Sequence, residues 1–182
     1  LMLIDSKIGF KIAKDITKSS NMTLSIAGLK SLCLGNNKVA LEYLNKFYLK
    51  WCDNDLVLEK WFEMMSSLNF ENQGIDYIKK LMEHKSFDVK NPNKLRSVLG
   101  TFQRENILLF HAEDSSGYNF ISEQIKIIDK RNPQAAARLI LPLTRFKNFK
   151  EDRKSKIRKV LKNITDQKPS NDLSEIIEKA LN

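Results

Sequence analysis

The sequence predicts an all-α protein: a superhelical stack of antiparallel helix pairs, about ten helices joined by short loops. Three observations carry that expectation. Apolar residues recur at helical spacing almost throughout, and no stretch shows sustained period-two alternation bounded by turn signals. Two Asn-Pro dipeptides, Asn91-Pro92 and Asn132-Pro133, stand 41 residues apart. That interval falls within the roughly 40–47-residue period of HEAT and armadillo repeats, whose helix pairs bury their apolar faces only against their neighbours. The expected architecture is therefore a HEAT/armadillo-like α-solenoid, with residues 1–182 as one domain.

The elements follow in order. Ile4, Ile8, Ile12 and Ile16 recur every four residues, which puts one apolar row on a first helix. Asn21 caps a second, carrying Leu24, Ala27, Leu29 and Leu32, with Gly35 just past its end. A third runs from about Lys38, turns Leu41, Leu44, Phe47, Tyr48 and Trp51 inward, and stops around Asp53-Asn54. Asp55 opens a fourth with Leu58, Trp61, Phe62, Met65 and Leu68 toward the core, a Met and aromatic stripe that reads as packing. Gln73 to Glu83 is a fifth, with Ile75, Ile78, Leu81 and Met82 as its buried edge.

Asn91-Pro92 and Asn132-Pro133 each read as an N-cap followed by proline at the first helical position. There the missing N–H costs nothing and the fixed φ suits the helix. Pro142 removes a hydrogen bond from the helix begun at Pro133 and should kink or end it. Ser170 or Asn171 caps a last helix with Leu173, Ile176, Ile177 and Leu181 inward.

Length and composition bound the class. A chain of 182 residues supports one sizeable core, and 42% hydrophobic with 29% charged residues is the balance of a soluble globular protein. No apolar run approaches the roughly 20 residues that a spanning helix needs. The opening LMLIDSKIGF has no basic region, long apolar stretch or cleavage site, so it is not read as a signal peptide. It lacks an initiator Met, so the chain is expected to be a piece of a longer one. Cys33 and Cys52 are too few for a disulfide framework and read as buried free thiols in a reducing cytoplasm.

The net charge of +9 is concentrated. Between Arg145 and Lys168 ten basic residues face only Glu151, Asp152 and Asp166. Ile157, Leu161 and Ile164 run through the same segment at helical spacing, so its cations read as the wet face of a packed helix. With no nucleic-acid motif or aromatic stacking pattern, neither a nucleic-acid nor a membrane partner is expected.

No constellation carries chemistry. His84 and His111 are the only histidines, and neither lies in His-Glu-x-x-His. His111-Ala112-Glu113 imitates half of the zinc deaminase signature, yet both cysteines precede it. Ser115-Ser116 lacks the strand and glycine setting of a nucleophile elbow. Glu113 and Asp114, just before a Ser-Ser-Gly turn, read as capping or docking groups. The sequence therefore predicts no catalytic residue, no metal ligand and no cofactor in this chain.

Four blocks carry a resemblance: WFEMMSSL from Trp61, HKSFDVKNPNKLRSVLGTF from His84, FHAEDSSGY from Phe110 and RNPQAAARLILPLTRFK from Arg131. In this order they resemble the C-terminal domain of bacterial aminopeptidase N, a family of gluzincin-type zinc metallo-aminopeptidases. The resemblance runs from about Asp55 to the C-terminus. The first fifty residues match only in helical character, and the family's Gly-Ser-Gly before tyrosine is Ser115-Ser116-Gly117 here.

The resemblance implies a role without its own chemistry. The zinc and the His-Glu-x-x-His helix would lie in an upstream catalytic domain. This domain would cover the catalytic cleft and limit entry to small peptides. By motif, Arg96 and Arg138 would line the substrate channel, where a guanidinium suits a peptide's C-terminal carboxylate. His111, Glu113, Asp114 and Tyr118 would dock the loop from Phe110 onto the catalytic domain. The expected partners are the other domains of the same polypeptide and, through the parent enzyme, peptide substrates. A different class of function stands beside it, a free-standing α-solenoid adaptor binding an acidic protein or nucleic acid through the basic Arg145–Lys168 segment.

Overall fold

The computed structural model describes residues 6–70 and 73–182. Among them every regular element is a helix, and they group into two compact units, one reaching Asn106 and one from Ile107 to Asn182. The first holds α1 (Ser6–Ile16), α2 (Met22–Gly35), α3 (Asn37–Trp51), α4 (Asp55–Ser67) and α5 (Gly74–Met82). A rod follows, in which α6 (Pro92–Leu95), a π turn (Arg96–Gly100) and α7 (Thr101–Glu105) continue one another.

Asparagine caps set the frame of this unit. The side chains of Asn21, Asn54 and Asn91 accept backbone N–H groups at the starts of α2, α4 and α6, satisfying donors that no helical partner reaches. The rod packs on α4, and α4 on α2, while α3 lies against both α2 and α4. Two ties give α4 and the rod a common direction. Lys94 Nζ meets the Asp55 carboxylate at 2.9 Å near their starts. Asn106 Nδ2 donates to the carbonyls of Ser66 and Leu68 at 3.2 and 2.8 Å near their ends. Ser66 Oγ also donates to Val98 O of the rod at 2.7 Å, while the Trp61 indole N–H ties α4 to α3 by donating to Leu44 O at 3.0 Å. The aromatic stripe of α4 is buried as its spacing predicts, with Trp61 and Phe62 in the core.

The first helix departs from its pattern. Ile4 lies outside the described residues. Ile8 and Ile12 stand 52% and 46% exposed, while Ala13 is buried. The reason is close backbone approach: a Cβ on Gly28 would stand 2.7 Å from Ala13 O and 2.9 Å from Thr17 N. Gly9, Ala13 and Gly28 let α1 and α2 pack closely; Ile16 stays against Gly28, 2.8 Å from where its Cβ would stand, while Ile8 and Ile12 are turned outward. Leu24 and Ala27 on α2 are likewise exposed, whereas Leu29 and Leu32 are buried. Cys33 and Cys52 are free but only partly buried, a correction to the fully buried thiols expected.

The second unit holds α8 (Ile107–Phe110), α9 (Ser116–Asp129), α10 (Pro133–Thr144), a 3-10 turn (Phe146–Asn148), α11 (Glu151–Thr165) and α12 (Asn171–Leu181). Asn132 caps α10 through Ala135 N, and Ser170 caps α12 through Leu173 N. Pro142 sits inside α10, which ends two residues later at Thr144. Asp129, at the end of α9, accepts from both Ser170 N (2.8 Å) and Ser170 Oγ (2.5 Å), tying α9 to the start of α12. On α11, Ile157, Val160, Leu161 and Ile164 are buried. Lys154, Lys156 and Arg158 pair with Glu151 or Asp152 of the helix's own first turn.

Candidate functional site

In the first unit the site is built on the π turn. Thr101 N–H reaches back to Arg96 O, one residue further than an α-helix allows, so Arg96–Gly100 takes up an extra residue. Asn91 and Pro92 start the rod, and Leu95, Val98, Leu99 and Phe102 bury its apolar side. Arg96 is left on the exposed side, its side chain making no hydrogen bond or ion pair with another described residue. Arg104, also exposed, places Nη2 3.5 Å from the buried Thr101 hydroxyl. Gly100 lies buried between them: a side-chain carbon there would stand 3.0 Å from Arg104 Nη1 and 3.4 Å from Arg96 Cγ.

In the second unit Arg138 projects from the exposed side of α10, whose other face buries Ala135, Ala136, Leu139, Ile140 and Leu143. Its side chain too makes no hydrogen bond or ion pair among the described residues. Arg131 and Arg145 lie seven residues to either side, and Leu141 is 40% exposed beside Arg138.

The loop from Phe110 forms a compact aromatic cluster. Gly117 is pressed onto α8, where a Cβ would stand 2.7 Å from Leu109 O and would also strike Phe110 O, so only glycine fits. Ser115 holds a left-handed φ of 63°, and Asp114 accepts from Ser116 N at 2.9 Å. That hydrogen bond holds the Asp114 carboxyl below its ordinary range. Tyr118 is only 1% exposed, stacks edge-on against Phe110 and meets His111 Nδ1 at 2.6 Å.

The four residues expected to dock therefore divide. Glu113 and Asp114 are exposed, His111 is half-buried, and the Tyr118 ring is internal, shaping the loop from beneath. Burial, with the Arg153 charge nearby, pushes the His111 imidazole down; burial likewise raises Tyr118. His84 is also pushed down by burial, among the rings of Tyr48, Trp61 and Phe62.

Among the described residues no group of three or more His, Cys, Asp or Glu is arranged to hold a metal ion, and no helix is long and apolar enough to cross a membrane. Sequence reasoning did not single out Arg104, whose side chain lies over Gly100 beside that of Arg96. Its only signal was a spacing, four residues either side of Gly100, which means little until the π turn is known.

Capped helices stacked within each unit, with helices as the only regular elements among the described residues, define an armadillo-type helical repeat protein. Residues 1–182 match the family model described as "Domain of unknown function (DUF3458_C) ARM repeats", and the chain belongs to that family. It is 36% identical over 171 residues to Aminopeptidase N of Escherichia coli (strain K12), covering 93% of this chain and 20% of that protein. Aminopeptidase N of Haemophilus influenzae gives the same identity and coverage. A solved structure, Legionella pneumophila aminopeptidase A in complex with aspartic acid, superposes with a TM-score of 0.87 at 28% identity, over 100% of this chain and 21% of that one. The chain thus spans about a fifth of the length of the relatives it matches, in keeping with the resemblance to the C-terminal domain of aminopeptidase N.

Proposed function

We propose that this chain is the non-catalytic C-terminal domain of a cytoplasmic zinc aminopeptidase, which removes N-terminal residues from peptides. In this reading the zinc and the hydrolytic machinery belong to upstream domains of the same polypeptide. The chain covers the catalytic cleft and lines the route that peptides take to it. Arg96 and Arg138 are the channel residues, and the exposed carboxylates of Glu113 and Asp114, with the edge of His111, dock the Phe110–Tyr118 loop on the catalytic domain.

The observation that carries this reading is the state of the two arginines. Each guanidinium is exposed on a helix that is otherwise well buried, with no carboxylate partner among the described residues. A structural ion pair would have one. A free guanidinium on a rigid helix suits a peptide's terminal carboxylate, held by charge-assisted, bidentate hydrogen bonds.

The test uses the full-length polypeptide and two substrate classes. Arg96→Ala and Arg138→Ala should each lower kcat/KM for tripeptides roughly tenfold more than for an alanyl chromogenic amide, which has no terminal carboxylate. Equal losses on both classes would remove the carboxylate role.

A further inference from the structure

We propose that Arg96 and Arg104 act as a pair, aligned by the π turn, and that they select peptides carrying a second carboxylate beside the terminal one, that is, peptides ending in Glu or Asp. The inference deepens the channel role of Arg96 and rests on it.

The alignment follows from helix geometry. In an uninterrupted α-helix, residues eight apart are rotated by about 80° from one another, enough to separate them on the surface. The extra residue in the Arg96–Gly100 turn removes about one residue's rotation, leaving an offset of about 20°. Arg96 and Arg104 therefore share one row of the rod. The contacts agree, since both side chains lie within 3.4 Å of the place a Gly100 side chain would occupy.

Gly100 has a second part in this. A helical arginine leans toward the N-terminus, so the Arg104 side chain lies back over the preceding turn. There it meets glycine, with Thr101 beside it. Two cations brought into one row repel each other, and no carboxylate among the described residues is paired with either. An anion with two charges relieves that repulsion more than one with a single charge. A peptide ending in Glu or Asp presents two carboxylates a few bonds apart, to a row of two guanidiniums.

The test compares Ala-Ala-Glu with Ala-Ala-Gln, which differ by one charge at nearly constant shape, in the full-length enzyme. The wild type should prefer Ala-Ala-Glu by about three- to fivefold in kcat/KM, the range of an exposed ion pair, and the preference should shrink with added salt. Arg104→Gln should bring the ratio to about one, while Arg104→Lys, which keeps the charge, should retain most of it. Arg96→Ala should weaken both peptides relative to the alanyl amide. A wild-type ratio near one, or a preference that survives Arg104→Gln, overturns the pair. If Arg96→Ala spares both peptides relative to the amide, the channel role of Arg96 fails instead, and the proposed pair goes with it.

Discussion

The imidazole Nδ1 of His111 and the hydroxyl of Tyr118 lie 2.6 Å apart, closing the loop from Phe110, with Phe149 from the segment before α11 edge-on to the imidazole. Burial lowers the imidazole's proton affinity, and the positive charge of Arg153 lowers it further. A histidine depressed in the folded state contributes stability that is fully present above its unfolded pKa of about 6.5. That contribution is lost as pH falls through this value toward the folded one, because the unfolded chain binds the proton first. His84 is shifted in the same direction, so both act together. The thermal midpoint should fall between pH 7.5 and 5.5, and His111→Gln should show a shallower fall. An unchanged slope would take the titration away from this pair.

Two glycines should behave oppositely when replaced by alanine. At Gly117 the new methyl meets the backbone of Leu109 and Phe110, which has no room to yield. Gly117→Ala should cost about 3 kcal/mol, read as a lower urea midpoint. At Gly100 the nearest neighbour is the flexible guanidinium end of Arg104, Arg96 Cγ stands at an ordinary contact distance of 3.4 Å, and alanine favours the helix. Gly100→Ala should therefore leave the urea midpoint equal to or slightly above the wild type while disturbing selection at the carboxyl end of the peptide.

Asp129 accepts two hydrogen bonds from Ser170 and is 8% exposed. Asp129→Ala leaves the Ser170 N–H without its acceptor at the start of α12. A loss of about 2 kcal/mol is expected in equilibrium unfolding, at the upper end of a cap's usual worth. A change below a few tenths would mean that the tie contributes nothing.

Burial pushes the Cys33 thiol up to about 12, so little thiolate forms near neutral pH. Iodoacetamide at pH 8 should label Cys33 slowly in the native chain and at least tenfold faster in denaturant, followed by peptide mass spectrometry. Equal rates in both states would contradict the burial argument.

The parts of this fold that were legible are those that depend on local chemistry. Asn21, Asn91 and Asn132 cap helices where the sequence places them, because an asparagine acceptor serves N–H groups only two or three residues away. The stripe through Leu58, Trp61, Phe62 and Met65 was legible for a similar reason, as spacing alone defines a helix face. The first helix was legible as a helix, but which side it buries was not: periodicity follows size, while the partner helix offered Gly28 and took Gly9, Ala13 and Ile16 against it, leaving Ile8 and Ile12 outside. Nothing in Arg-Ser-Val-Leu-Gly announces an extra residue in the turn, so the row joining Arg96 to Arg104 appears only with the backbone. Arg96 and Arg138 themselves stood out through family resemblance, since an exposed arginine on a helix has no distinguishing pattern of its own.

The most direct measurement of the central claim is hydrolysis of an alanyl chromogenic amide and a tripeptide by this chain, by the separately expressed upstream portion, and by the two mixed. The account predicts no turnover by this chain alone, and a shift in the ratio of tripeptide to amide hydrolysis on mixing. Chelator-sensitive turnover by the purified chain alone would contradict it, and would place a metal site among residues such as His84 and His111 that the account leaves to structure.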